Sequence, residues 1–373
     1  MKQGKVLIFS VPFGTGHYRA AEAICKAFTL NNPLIESRIV DSFSYASPVL
    51  GRFITETYME ILKISPRLYR FLYDKAESNK AKAGATRVLH LLMATKLEEL
   101  IQEEQPDVLV CTHPFPLGVV SKMRDRGKVQ SPIVAVITDF SVHSFWLENN
   151  VDMFIVGADE LKESLISQGV AEEKIKVTGI PIDPAFDNYN RQEDFALKMG
   201  LQAELPVLLV MGGGLGLGPV EEAVNALVSL NYPVQLVVVT GKNVKLEKRL
   251  KQMAKQPGVT LKVFGHVDNV HEFMEIADLV VTKPGGLTSA EALAKGLPLV
   301  LIDPIPGHEE RNLDFLTTIE VAVTLDNSSG IARLVENVLE IPDKMARMNE
   351  TAKRVGKPTS AQAAARVLVD LIG

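Results

Sequence analysis

The sequence predicts an α/β protein built from two Rossmann-like, doubly wound domains facing a cleft. Short apolar, β-branched runs alternate with longer helical patterns along most of the chain, which is the signature of parallel sheets joined by crossover helices. A chain of 373 residues is too long for one ordinary core and suits two. Glycine-rich turns stand between strand and helix patterns in both halves, at 14–16, 212–218 and 285–286.

In the first half the strand patterns fall at 6–9, 38–40, 108–112, 133–138, 153–156 and 176–178. In the second they fall at 207–211, 235–239, 261–264, 279–282, 299–302 and 322–325, so each half holds the complement of one doubly wound domain. The join lies within 180–205, a polar stretch with prolines at 181 and 184 and a third at its edge, 206. The expected domains are therefore residues 1–182 and 183–359, with a final helix at 360–372 able to pack back on the first. Ligands in such folds gather at the carboxyl ends of the strands, which puts the site in the cleft.

Composition narrows the class. A hydrophobic fraction of 46% with 23% charged residues describes a globular chain, and a formal net charge of −5 argues against a bulk nucleic-acid binder. Cys25 and Cys111 are far apart beside apolar residues and read as buried free thiols in a reducing compartment. The opening Met1-Lys-Gln-Gly-Lys5 runs straight into the first strand, leaving no room for a signal peptide. No apolar run approaches the roughly 20 residues of a spanning helix. The expectation is a cytosolic protein, or one held at a membrane from the cytosolic side.

One region breaks the strand–helix rhythm. Residues 41–107 carry no strand pattern, and seven of the chain's 23 aromatics lie between Phe43 and Tyr73, among them Phe53, Tyr58, Tyr69, Phe71 and Tyr73. Between 51 and 96 there are nine Lys or Arg against four acids. A basic amphipathic segment with aromatics suits the surface of an anionic bilayer. An ordinary helical insertion, with its lysines on the solvated face, satisfies the same pattern.

The residues that bear on chemistry follow the strands. After the first strand comes Gly14-Thr-Gly-His-Tyr-Arg-Ala-Ala21, where Gly14 and Gly16 permit a tight turn and place His17 at a helix N-terminus. The helix dipole is expected to depress its pKa and favour the neutral imidazole of a general base. The same position also suits a histidine that caps the helix or binds phosphate. Asp139 and His143 follow the fourth strand; Asp139 can orient an acceptor hydroxyl or pair with His17. The two have no third partner at metal-ligand spacing, so no metal and no cofactor are expected. His113, after the third strand, can simply satisfy a turn.

In the second half, Gly213 and Gly214 sit in a strand-to-helix turn fit for close backbone approach to phosphate, without the Gly-Lys-Ser/Thr of a P-loop. Phe264 and His266 end a strand where backbone bonds to a base edge are available, though an ordinary turn serves equally. The run Thr282-Lys-Pro-Gly-Gly-Leu-Thr288 brings Gly286, Leu287 and Thr288 to another helix start, expected to open at 288. Glu291, one turn on, can reach the vicinal hydroxyls of a ribose. Pro306-Gly-His-Glu-Glu-Arg-Asn312 reads as a polar loop fit for a sugar, through His308, Glu309 and Asn312. Phosphate turns and a ribose contact in one half, with a candidate base in the other, suggest a nucleotide-sugar transferase.

These motifs, in this order, make the chain resemble the glycolipid synthases of glycosyltransferase family 28. That family includes bacterial processive diacylglycerol β-glucosyltransferases and plant monogalactosyldiacylglycerol synthases. The resemblance runs nearly end to end, through Gly14-x-Gly-His-x-x-Ala-Ala21, Thr138-Asp-Phe-x-x-His-x-x-Trp146, Thr178-Gly-Ile-Pro-Ile182, the Lys-Pro-Gly-Gly turn and Pro306-Gly-x-Glu-x-x-Asn312. It implies a GT-B fold and metal-free, inverting transfer of glucose or galactose from UDP-glucose or UDP-galactose to diacylglycerol. By that likeness Gly213, Gly214, Gly286 and Thr288 meet the diphosphate and Glu291 the ribose. Glu309 and Asn312 read the sugar, and His17, or Asp139 near it, takes the acceptor's proton. Residues 43–87 then correspond to the region that approaches an anionic bilayer at its cytoplasmic face. Position 308 is His where relatives commonly carry Gln. A UDP-sugar epimerase of the same fold and a non-catalytic sensor of nucleotide sugars are the competing classes.

Overall fold

The structure, a computed structural model, describes residues 3–11, 15–49, 51–53, 56–57, 60, 85–187, 193–214, 216, 218–253, 259–325 and 330–372. The chain divides into two compact units, 1–184 with 306–308 and 359–373, and 185–305 with 309–358.

The first unit opens with β1 (Gly4–Ser10), α1 (Thr15–Asn31), β2 (Ile35–Asp41) and the short α2 (Ser42–Ala46). It continues with α3 (Ala85–Glu104), β3 (Val108–Cys111), α4 (Pro114–Asp125) and β4 (Ile133–Val136). Then come β5 (Met153–Val156), α5 (Asp159–Ser167) and β6 (Ile175–Val177). The six strands form one sheet in the order β2-β1-β3-β4-β5-β6, every pair parallel. Because side chains alternate along a strand, the sheet has two apolar faces. Leu7, Phe9, Leu109, Cys111 and Ala135 pack with Met93, Leu97, Leu117 and Trp146 on one face. Val6, Ile8, Val110 and Val134 pack with Ile24, Ala27 and Phe28 of α1 on the other.

The second unit begins with α6 (Glu193–Lys198), β7 (Val207–Met211), α7 (Val220–Leu227), β8 (Val234–Val239) and α8 (Val244–Gln252). Next are β9 (Val259–Phe264), α9 (Val270–Glu275), β10 (Leu279–Thr282), α10 (Gly286–Ala294) and β11 (Leu299–Leu301). The unit ends with α11 (His308–Thr318, of which the second unit holds Glu309 onward), β12 (Ala322–Thr324), α12 (Ile331–Leu339) and α13 (Pro342–Val355). Its sheet runs β12-β11-β10-β7-β8-β9, the 3-2-1-4-5-6 order of a dinucleotide-binding doubly wound fold, again all parallel. Helix α14 (Ser360–Leu371) belongs to the first unit, where Ala361, Ala364, Ala365 and Leu368 join the α1 face of the sheet.

Both sheets use one device to set strand register. An aspartate just before one strand accepts an amide at the start of its neighbour, from the first or second residue: Asp107 from Lys5 at 2.7 Å, Asp152 from Ile133 at 2.8 Å, and Asp278 from Val207 at 2.8 Å. In each sheet the chain reverses its direction of growth beside the first strand. That switch lies between β1 and β3 in the first sheet and between β7 and β10 in the second, and crevices form there.

Two boundaries differ from the sequence expectation. Helix α10 starts at Gly286 rather than 288, because a glycine at the first helical position blocks nothing and the following Leu-Thr-Ser-Ala run continues the turn. The expected polar loop at 306–312 is helical from His308 onward. Gly307, at φ +93°, makes the turn, and Glu309 and Glu310 lie in the first turn, where the helix dipole favours acids. Of the aromatics singled out in the basic segment, Phe53 is described and 65% exposed; Tyr58, Tyr69, Phe71 and Tyr73 lie outside the described residues. Among the described residues, no helix is long and apolar enough to cross a membrane.

Candidate active site

In the first unit the strand ends at the switch point are stitched together before any ligand is considered. Thr112 donates its amide to the Phe9 carbonyl at 3.1 Å, and its hydroxyl lies 3.0 Å from that of Ser10, fully buried. The carbonyl of Thr112 is turned toward α1, where His17 Nδ1 meets it at 2.8 Å; the hydroxyl of Thr138, after β4, lies 2.7 Å from the same nitrogen. A carbonyl only accepts, so Nδ1 carries the hydrogen. The lone pair of the neutral ring is then on Nε2, the nitrogen that can receive a proton. Gly16 is described at the start of α1, whereas Gly14 lies outside the described residues.

Burial pushes His17 below the ordinary imidazole value, and the carboxylate of the half-buried Asp139 pulls the other way. The direction is the one expected from sequence, but its leading cause is desolvation rather than the helix dipole. Asp139→Asn removes the charge that favours the imidazolium. The acid limb of kcat/KM should therefore move to lower pH, with turnover kept well above that of a His17→Ala variant. Complete loss of turnover in the asparagine variant would instead make Asp139 the base.

Two further histidines lie at strand ends. The His17 and His113 rings meet edge to face, with centroids 4.7 Å apart. His113 Nδ1 accepts the Phe115 amide at 3.1 Å and caps α4; His143 Nδ1 accepts the Phe145 amide at 3.1 Å and caps the short turn at Ser144–Trp146. Those bonds leave the hydrogen of each ring on Nε2. His113 is held well below the ordinary value by burial, with His17 and His143 adding to the effect. Trp146 is a core residue, 2% exposed. Among the described residues, no group of three or more His, Cys, Asp or Glu is arranged to hold a metal ion.

In the second unit the two glycine turns stand side by side at the switch point, since β7 pairs with β10. The first is braced by a loop that the sequence reading did not single out. Lys242 donates its amide to the Gly214 carbonyl at 3.2 Å, and Asn243 Nδ2 donates to the Gly216 carbonyl at 3.0 Å. The other end of the Asn243 amide caps α8, accepting the Leu246 amide at 3.1 Å. Gly213, at φ +67°, faces open space where a Cβ would stand. The signal available in sequence was Thr240-Gly-Lys-Asn243, itself a strand-end turn.

The second turn leads into α10, whose cap residue Gly285 provides no side-chain bond to the first amides. Leu287 and Glu291 are buried, Thr288 half-buried. From α11, Asn312 is fully buried and donates to the Pro284 carbonyl at 3.0 Å. Glu309 accepts the Ile305 amide at 2.6 Å and pairs with Lys283 at 3.4 Å. Both residues expected to read a sugar therefore also hold the backbone around the glycine turn. His308 is half-buried at the head of α11. The Phe264 carbonyl accepts the Thr240 amide at 2.9 Å and its hydroxyl at 3.0 Å, which ties β9 to the bracing loop; the exposed His266 lies 3.4 Å from Asp268.

Residues 17–182 match the family described as monogalactosyldiacylglycerol synthase, and residues 202–355 the family of glycosyl transferases group 1. A processive diacylglycerol β-glucosyltransferase of Bacillus pumilus is 32% identical over 375 residues, covering 99% of this chain and 94% of the relative. The protein of the same name from Bacillus subtilis is 32% identical over 365 residues, covering 96% and 93%. The chain belongs to this glycolipid synthase family. Solved structures add the fold: MurG of Acinetobacter baumannii superposes with a TM-score of 0.65 at 15% identity over 99% of this chain and all of that one. MnaA of S. aureus with UDP gives 0.64 at 16% identity over 99% and 98%. Two parallel α/β units with these neighbours constitute the GT-B architecture.

Proposed function

We propose that this protein transfers glucose, or galactose, from the UDP-sugar to the hydroxyl of diacylglycerol with inversion, making membrane glycolipid. The observation that carries the reading is full-length relatedness at 32% identity to diacylglycerol β-glucosyltransferases. The two switch points supply the chemistry it needs. The diphosphate lies on the Gly213–Gly214 turn and on the amides of Gly286, Leu287 and Thr288, where the α10 dipole offsets the charge of departing UDP. Glu291 takes the ribose, Phe264 and His266 the base, and His308 with Glu309 the sugar hydroxyls, above the backbone held by Asn312. His17 Nε2 accepts the diacylglycerol proton as that oxygen attacks the anomeric carbon and the bond to UDP breaks. The donor needs no metal in this scheme. A UDP-GlcNAc 2-epimerase shares the fold, but at 15% identity that likeness concerns architecture alone.

The decisive experiment is incubation with diacylglycerol liposomes and UDP-glucose or UDP-galactose, with lipid products read by mass spectrometry. No glycosylated diacylglycerol from either donor would refute the reading.

The acceptor lives in a bilayer, and we place the basic aromatic segment on the cytoplasmic face of that bilayer. In support, Val49 and Phe53 are 81% and 65% exposed at its start. Inserting a large apolar side chain contributes about 1.5–3 kcal/mol. A Val49→Glu/Phe53→Glu variant should thus bind anionic vesicles at least about tenfold more weakly in sedimentation. Wild-type vesicle affinity in that variant would remove the segment from the membrane.

A further inference from the structure

Lys283 stands where three strand ends and one helix converge. Its side chain is 12% exposed, and its ammonium pairs at 3.4 Å with Glu309, whose side chain is 10% exposed. Glu309 is held in turn by the Ile305 amide at 2.6 Å. The stem of Lys283 runs beneath the other glycine turn: a Cβ built on Gly218, at φ +93°, would lie 3.1 Å from Lys283 Cδ, 3.6 Å from its Cγ and 3.4 Å from Asp303 Oδ2. Asp303, after β11, is itself in the left-handed region at φ +47°. A side chain that spans two ligand-facing turns and is charge-paired out of water holds their spacing.

We propose that Lys283 is a positioning residue for the donor site: its stem sets the Gly218 end of the first glycine turn against the second, and its ion pair with Glu309 ties both to α11. The inference rests on the UDP-sugar reading of that site. The charge is already matched by Glu309, so the contribution of Lys283 is geometric, and its loss should appear in donor binding ahead of acceptor binding.

The test is calorimetric UDP binding and steady-state kinetics on the full chain carrying Lys283→Met, Lys283→Arg, Glu309→Gln and the Met/Gln double variant. Methionine keeps much of the stem and removes the charge. UDP affinity and kcat/KM for UDP-glucose should fall by about tenfold or more with Lys283→Met, and KM for diacylglycerol should stay the same. Arginine should restore most of the loss. The double variant should be no worse than the poorer single one, because both residues act through one pair. UDP affinity within twofold of wild type in Lys283→Met, or fully additive losses in the double variant, would overturn the proposal. Failure of the wild type to bind UDP is a separate result: it would refute the donor reading itself and this inference with it.

Discussion

Replacing His17 with alanine is expected to lower kcat by about 10²–10⁴-fold, the usual contribution of a positioned general base, while UDP affinity stays at the wild-type level. The split follows from placement. His17 belongs to the first unit, and the glycine turns belong to the second. Its Nδ1 hydrogen is committed to the Thr112 carbonyl, so the basic lone pair is on Nε2 whenever the ring is neutral. The rate requires that neutral form, and burial keeps His17 neutral to lower pH than an ordinary imidazole. In the wild type the acid limb of kcat/KM should therefore lie below the usual histidine range, and the alanine variant should lack that limb. The same linkage acts on stability. An imidazole whose pKa is depressed on folding resists protonation in the native state, so its contribution is present above the unfolded value and lost as the pH falls below it. Transfer by the alanine variant at the wild-type rate, with the acid limb unchanged, would exclude His17 as the base.

The second large effect is expected at Gly216. Its backbone has φ +60°, and a Cβ there would lie 2.0 Å from the Thr240 carbonyl oxygen and 2.8 Å from Asn243 Cβ. Both obstacles belong to the bracing loop, so neither can yield without releasing the turn. The left-handed conformation costs an L-residue about 1–2 kcal/mol, and overpacking against backbone adds about 1–3 kcal/mol. Gly216→Ala should lower the melting temperature by roughly 5 °C or more. UDP affinity should drop by more than about tenfold, because Gly213 and Gly214 move with the turn. The neighbouring Gly213 offers a control. A Cβ there meets no protein atom within 4 Å, so the fold of the alanine variant at 213 bears only the strain of φ +67°. An equal fall in melting temperature at both positions would show that backbone conformation alone, and not the brace, governs the turn.

Much of this was legible in the sequence, for reasons that can be named. All twelve strand patterns correspond to strands: the central ones because a strand buried on both faces must be apolar throughout, as in β3, β4, β7, β8 and β10, and edge strands such as β2 because their β-branched residues still stand between turn signals. The glycine turns were legible because glycine after an apolar run reports a backbone that other residues resist. The start of α11 was not: Pro306-Gly-His-Glu-Glu is polar throughout, and only the Gly307 turn and the acids of the first helical turn distinguish a helix head from a loop. The cause of the His17 shift is not written in the sequence for a related reason. A dipole can be inferred from position in a helix, whereas desolvation depends on what packs over the ring.

By itself, the sequence determined the two parallel-sheet units, the strand ends at which chemistry can occur, the candidate base and the family to which the motifs belong. Those properties are local: they are written in periodicities of two and 3.6 residues and in the positions of glycine. The tertiary structure alone decided the tautomer of His17, set by a carbonyl group 95 residues away. It alone showed that Asn243 braces one glycine turn and that Lys283 spans both. Side chains brought together by strand order leave no spacing to read, because parallel crossovers separate neighbours in space by dozens of residues in the chain.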